Sequence, residues 1–201
     1  VAPGAKWIAV KVFNDAGKAS ESAIHLGFQW LLDPDGNPGT DDLPDVVNIS
    51  WGLVDEVNVC DTLYQADIQA LKAAEVAVVV AAGNSGSASA TSLSAANYPE
   101  SYSVGSVADT LLVAEDSSRG PSACDGSIFP DIAAPGVNVR TTDLTGGGTV
   151  PYSYAFVSGT SFAAPHVAGA MALLLSMAPQ LSVAELEDLL RQTAVDLGDP
   201  G

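Results

Sequence analysis

Short runs of apolar residues alternate along the chain with segments in which apolar residues recur every three to four positions. The runs cover residues 7–13, 45–50, 76–81 and 101–107. Continuous apolar runs of this length predict strands that are buried on both faces. Residues 20–32 and 61–75 show helical spacing and predict two helices. This alternation is typical of a mostly parallel sheet with helices on both faces.

The C-terminal third of the chain contains a long segment without charge. Residues 162–175 carry no charged side chain, and a helix that is apolar all round is normally buried. We therefore predict a central buried helix here, after a short strand at residues 137–141 and a flexible link at residues 146–148. Ser182 and Glu185 have the spacing of a capping box, which predicts a last helix that ends near Thr193.

Composition limits the classes of function. The chain has 201 residues, enough for one domain, and 47% of them are hydrophobic, which argues against disorder. There are 24 acidic and 7 basic residues, for a net charge of −17, which opposes binding to nucleic acid or to an anionic membrane surface. No run reaches the roughly 20 apolar residues of a membrane span. Because the chain begins at Val1 rather than at a methionine, we expect an excised piece of a longer protein.

Ser161 lies where the uncharged helix is expected to begin. The N-terminus of a helix presents free N–H groups and the positive end of the helix dipole, which stabilise a developing oxyanion. Serine is also a favoured N-cap residue. The local pattern therefore leaves Ser161 as either a nucleophile or a helix cap.

Two short groups of residues lie at the carboxyl ends of the second and third predicted strands. They are Ser50, Trp51 and Gly52 after the second strand, and Ala82, Gly83 and Asn84 after the third. Ligands of parallel sheets bind outside the carboxyl ends of the strands, and Ser161 is expected at the same edge. Asn84 is either a donor to an oxyanion or a residue of an ordinary turn.

The chain has two histidines, and neither is placed to activate Ser161. His166 follows Ser161 by five residues, so it lies about 140° away around a helix and cannot reach the hydroxyl group. His25 lies beside an apolar stripe on the first predicted helix, and we interpret it as structural. A serine hydrolase with its own base is therefore disfavoured.

Three motifs resemble those of subtilisin-like serine proteases. The run GTSFAAPHVAGAMALL at residues 159–174 resembles the nucleophile motif, and AAGNSG at residues 81–86 resembles the segment with the oxyanion-hole asparagine. The run DVVNISWG at residues 45–52 resembles a substrate-binding strand and suggests the bacillopeptidase F-like branch. The resemblance extends over nearly the whole chain.

The resemblance implies a three-layer α/β fold, incomplete at the N-terminus, and a partial peptidase catalytic domain over residues 1–201. It implies that Ser161 is the nucleophile, with Asn84 and the Ser161 N–H as oxyanion donors. A polypeptide substrate would lie along a second group of residues. These are Ser50, Trp51, Gly52, Ala82 and Gly83. The resemblance also implies a secreted or cell-surface protein that requires no cofactor.

The triad of this family has the order Asp, His, Ser. Neither Asp-Ser/Thr-Gly nor His-Gly-Thr occurs in the chain, so the Asp and His are expected upstream of Val1. We expect the chain as given to be inactive, because the members of a triad act as a unit. The alternative is a catalytically dead module that binds peptides.

The family's catalytic Asp lies on a strand between the strands that correspond to residues 7–13 and 45–50. Without that strand, the two neighbours close the gap, or their edges pair with another chain, or apolar surface is exposed. Unpaired strand edges favour association. We therefore expect dimerisation or poor solubility of the isolated chain.

Two further features leave alternatives open. Asp33, Asp35 and Asn37 alternate like the start of a calcium loop, but the glycine is misplaced and no glutamate closes the pattern. They form either a solvated turn or a calcium site. Cys60 and Cys124 are either free or joined in one disulfide, which would suit an extracellular protein.

Overall fold

The computed structural model describes residues 1–143 and 153–198. The predicted link at residues 146–148 lies outside them. The described helices are α1 (Glu21–Leu32), α2 (Gln65–Ala73), α3 (Thr160–Met177) and α4 (Val183–Thr193). The described strands are β1 (Val46–Ile49), β2 (Ala77–Ala81), β3 (Tyr102–Val107), β4 (Ile132–Pro135), β5 (Val139–Thr142) and β6 (Tyr154–Val157).

Strands β1 to β4 form one parallel sheet in the order β1-β2-β3-β4. Every residue of β2 is buried, and its side chains alternate between two apolar clusters. Val78 and Val80 face α1 and α2, whereas Val79 packs in the cluster formed by α3 and α4. This alternation follows from the two-residue period of a strand. The predicted three-layer α/β architecture is confirmed.

Residues 7–13 were expected to form a strand, and this prediction is wrong. They have no ladder partner in the described part of the chain, and the Trp7 side chain is 83% exposed. A cavity of about 1130 Å³ separates them from β1, with α1 and α3 as its other walls. Residues of high β-propensity form a strand only when a neighbouring strand is present to pair with them. The gap beside β1 is therefore open.

Helix α3 is buried on one face only, which corrects the expectation of a fully buried helix. Ala163, Val167 and Met171 pack on the sheet, whereas Leu173 and Met177 are exposed. By length and composition α3 could cross a membrane, with a mean hydropathy of 1.3 over its 18 residues. The core helix of a soluble protein meets the same criterion, and α3 packs on the sheet in that way.

The bounds of two elements differ from the sequence prediction, and two strands were not predicted. Helix α2 begins at Gln65 rather than near Asp61, because the Asp61 carboxylate accepts the Leu63 N–H at 2.8 Å and forms a turn. Strand β4, whose sequence IAAP contains two alanines and a proline of low β-propensity, was not predicted, and neither was β6. The strand expected at residues 137–141 is β5, which pairs antiparallel with β6.

The capping box that predicted α4 is present. Ser182 Oγ accepts the Glu185 N–H, and the Glu185 carboxylate accepts the Ser182 N–H. The helix is also tied to α2, since Lys72 Nζ donates to Glu187 at 2.6 Å. Burial raises the pKa of Glu187. Helix α4 is therefore placed by its own cap and by one partly buried ion pair.

Candidate active site

The carboxyl ends of β1 and β2 meet the N-terminus of α3 around a cavity of about 210 Å³. Six of the seven residues predicted for the site line it. They are Ser50, Trp51, Gly52, Gly83, Asn84 and Ser161. The seventh, Ala82, is fully buried, and its N–H donates to Val104 O at 3.0 Å. Ala82 therefore supports the site from behind.

Ser161 is not a helix cap, because the N-cap of α3 is Gly159 and the helix begins at Thr160. The half-buried Ser161 hydroxyl donates to Ser50 O at 3.2 Å, and the Ser50 hydroxyl donates to Ser161 O at 3.0 Å. The Ser161 N–H belongs to the first turn of α3, where no helical carbonyl is available to it. Ser161 thus offers a hydroxyl and an N–H at the same point.

Asn84 is held by the residue that precedes Ser161. Its Oδ1 atom accepts the Thr160 N–H at 2.9 Å and the Thr160 hydroxyl at 3.2 Å. The side-chain oxygen of Asn84 therefore caps α3 from another segment. Its Nδ2 group has no acceptor among the described residues, and Asn84 is exposed. The NH₂ group is thus available to an oxygen atom in the cavity.

Thr160 is a site residue that the sequence reasoning missed. It is fully buried, and its Oγ1 atom accepts the Gly83 N–H at 3.1 Å while it donates to Asn84. A buried hydroxyl needs partners, and here those partners lie at the end of β2. The available signal was a polar residue immediately before Ser161 in the run GTS.

Both histidines are engaged away from the cavity. His25 Nδ1 lies 2.7 Å from Asp67 Oδ2 and joins α1 to α2, as expected for a structural residue. His166 Nδ1 lies 2.8 Å from Phe162 O on its own helix. Neither belongs to the described residues that line the cavity, and none of those residues has a side chain that titrates near neutral pH.

The large indole of Trp51 does not fill the cavity. Its indole packs against the rings of Phe28, Tyr64 and Phe13, with centroid distances of 6.2, 5.4 and 6.3 Å. The indole is therefore anchored in the layer of α1 and α2. The next residue, Gly52, is closely approached by the chain, because a Cβ there would lie 3.2 Å from Ser94 O and would require a small shift of that backbone.

Cys60 and Cys124 form a disulfide that closes a separation of 64 residues. Cys60 directly precedes Asp61, whose carbonyl accepts the Tyr98 hydroxyl. Burial raises the pKa of Tyr98 to about 12, so this hydroxyl stays protonated and donates across the neutral range. The disulfide joins the loop after β1 to the segment after β3, and this hydrogen bond joins the same loop to the segment after β2.

The acidic loop after α1 brings together a different set of possible metal ligands from the one predicted. Ligand atoms of Asp33, Asp35 and Asp42 lie within 4.8 Å of one another. Asn37 instead accepts the Gly39 N–H at 3.2 Å. The Asp35 carboxylate also accepts the Thr40 hydroxyl. Calcium binding at this loop stays a prediction.

Residues 1–201 match the subtilase family. The chain belongs to this family. It is 39% identical over 206 residues to bacillopeptidase F of Bacillus subtilis (strain 168), and the matched region covers 99% of this chain and 14% of that protein. It is 35% identical over 199 residues to subtilisin DY of Bacillus licheniformis, with 99% and 64% covered.

Solved structures of subtilases have the same fold. A cold-adapted subtilisin-like serine proteinase matches with a TM-score of 0.74 and 28% identity, over 93% of this chain and 59% of that one. Sphericase matches with a TM-score of 0.74 and 26% identity, over 91% and 58%. The resemblance to the subtilisin-like family is confirmed. The chain spans less than two thirds of these relatives.

Proposed function

We propose that this subtilase domain hydrolyses peptide bonds with Ser161 as the nucleophile. One observation carries the proposal: Ser161 and Asn84 line the same cavity, and Thr160 holds Asn84 in place. Ser161 Oγ attacks the peptide carbonyl carbon, and the carbonyl oxygen becomes an oxyanion. Asn84 Nδ2 and the Ser161 N–H donate to it, which is the usual means of stabilising such an intermediate. The proton of Ser161 passes to the base, which gives it to the leaving amine as the C–N bond breaks, and a water molecule then hydrolyses the acyl group from Ser161.

The base and its orienting carboxylate come from polypeptide outside residues 1–201. This part of the proposal is supported by the positions of His25 and His166, which both have other partners. The open cavity beside β1 also supports it, because a strand placed there parallel to β1 would end next to Ser50 and Ser161. We define the active form as this chain together with that polypeptide.

The substrate is an extended polypeptide that passes along residues 50–52 and Gly83. The segments that follow β1 and β2 line the cavity together with Ser161, so a peptide bound there would pass between them. No cofactor is required, since the chemistry uses only a hydroxyl, a base and N–H donors. The disulfide favours a secreted or cell-surface protein.

Labelling with a fluorophosphonate, followed by mass spectrometry, tests the proposal. The isolated chain is expected to show no label on Ser161. Combining it with the upstream part of bacillopeptidase F, the region before the matched residues, is expected to give a stoichiometric adduct. The Ser161→Ala variant is the control and gives no label in either case.

Two results would contradict parts of this proposal. Rapid labelling of the isolated chain would mean that it contains its own base. No label in the combined sample would favour the alternative, a module that binds peptides without cleaving them.

We also propose that the isolated chain associates with itself along the open edge of β1. Trp7 and Ile8 are 83% and 49% exposed beside that edge, and an unpaired edge with apolar surface favours pairing between chains. Sedimentation velocity is expected to show a dimer that increases with concentration. Ile8→Lys should reduce it, whereas Val195→Lys, a matched change at an exposed valine away from that edge, should not. A monomer at all concentrations would contradict this prediction.

A further inference from the structure

Leu93 fills the space between the two backbone segments that line the active-site cavity. Its side chain is 2% exposed and lines the cavity with Ser161 and Asn84. A Cβ on Gly83 would lie 2.3 Å from Leu93 Cδ1, and a Cβ on Gly52 would lie 3.9 Å from Leu93 Cβ. Leu93 thus touches one wall of the cavity and lies next to the other.

The residues on either side of Leu93 hold its backbone in place. Ser92 O accepts the Asn58 N–H at 2.9 Å, and Ser94 O accepts the Leu53 N–H at 2.8 Å. Leu93 O itself accepts the Asn97 N–H at 2.9 Å. Three consecutive carbonyl groups are therefore bound to neighbouring segments, and two of the bonds come from the loop that follows Gly52.

The hydroxyl groups next to Leu93 are fixed as well. Ser94 Oγ donates to Asn97 Oδ1 at 2.9 Å, and Ser92 Oγ accepts the Ala123 N–H at 3.0 Å. Asn97 Nδ2 donates to Val59 O at 3.0 Å.

Val59 and Ala123 directly precede the two cysteines of the disulfide between Cys60 and Cys124. The covalent bond therefore lies next to both ends of the polar network beneath Leu93. A side chain on such a support cannot move aside to admit a large group. Close packing of this kind makes the shape of a site specific.

We propose that Leu93 sets the depth of the specificity pocket and restricts it to small side chains. The pocket receives the side chain of the substrate residue whose carbonyl group Ser161 attacks. The small residues glycine, alanine and serine fit there. The cavity of about 210 Å³ is smaller than the roughly 300–1,000 Å³ of most ligand pockets. Trp51 is not the limiting residue, because its indole packs away in the aromatic cluster. This inference rests on the proposed function.

Calorimetric titration of two peptides tests the inference without requiring hydrolysis. The peptides differ only at the residue in question, alanine in one and phenylalanine in the other. The full chain carries Ser161→Ala so that neither is cleaved. The alanine peptide is expected to bind at least about ten-fold more tightly, since a few methylene groups change discrimination by about 10–200-fold.

Adding Leu93→Ala should reduce the ratio of the two affinities, alanine peptide over phenylalanine peptide, at least about ten-fold. Leu93→Ile keeps the volume and serves as the matched control, so it should leave the ratio nearly unchanged. Circular dichroism checks that each variant is folded. Leu93→Val replaces Leu93→Ala if the latter unfolds, and the ratio should then fall in the same direction by a smaller factor.

Three results would overturn the inference. They are an unchanged ratio in the smaller variants, a preference of the parent for the phenylalanine peptide, and no binding of either peptide. The fluorophosphonate experiment judges the nucleophile independently. A module that binds peptides but does not cleave them would still show the change of preference, so failure of the catalytic proposal is distinguishable.

Discussion

Replacing Asn84 with aspartate is expected to lower turnover of the active form by about 10²–10³-fold. This magnitude is the one known for loss of one oxyanion-hole donor in subtilisin. Aspartate keeps an oxygen for the Thr160 N–H, which Asn84 accepts at 2.9 Å. It lacks the NH₂ donor, and it places a negative charge where the oxyanion forms.

Steady-state kinetics and urea unfolding together separate donation from positioning. Both Asn84→Asp and Asn84→Ala should lose turnover. Only Asn84→Ala should also lose stability, by about 1 kcal/mol, because it leaves the Thr160 N–H at the start of α3 without its acceptor. Normal turnover in Asn84→Asp would show that Asn84 acts only through its oxygen atom and would remove it from the oxyanion site.

Loss of the disulfide is expected to lower the free energy of unfolding by about 4 kcal/mol. Cys60 and Cys124 are 64 residues apart, and a cross-link over a loop of this length strongly restricts the unfolded chain. The bond also lies beside the network that supports Leu93. Reduction should therefore weaken the discrimination between small and large side chains as well as the fold.

Urea unfolding with and without a reductant measures this effect. The parent chain should lose stability in the reductant, whereas the Cys60→Ala, Cys124→Ala double variant should be equally unstable in both conditions. Equal unfolding free energies for the oxidised parent and the double variant would contradict the prediction.

Elements with strong local signals were predictable from the sequence. Ser20 and Ser182 both accept N–H groups at helix starts, as their positions before apolar segments indicate. The buried β2 followed from its run of valines. Recognition of Ser161 and Asn84 came from two motifs and from the rule that parallel strands end at one edge. In each case the signal lies within a few residues of the element.

Some residues of the site were outside the reach of such reasoning. Leu93 lies in a Ser- and Ala-rich stretch that suggested only a loop, and its importance comes from Gly52 and Gly83, which are distant in sequence. Thr160 matters because it faces Asn84, 76 residues away. The direction of the Trp51 indole depends on packing against Phe28 and Tyr64.

The sequence by itself determined the family, the order of most helices and strands, and the identity of the two central polar residues. Only the tertiary structure decided that residues 7–13 form no strand, that Ser161 is not a cap and that Leu93 lines the cavity. The physical reason is that helix caps and apolar periodicity are local. The pairing of a strand, the direction of a side chain and the depth of a cavity depend on groups that only folding brings together.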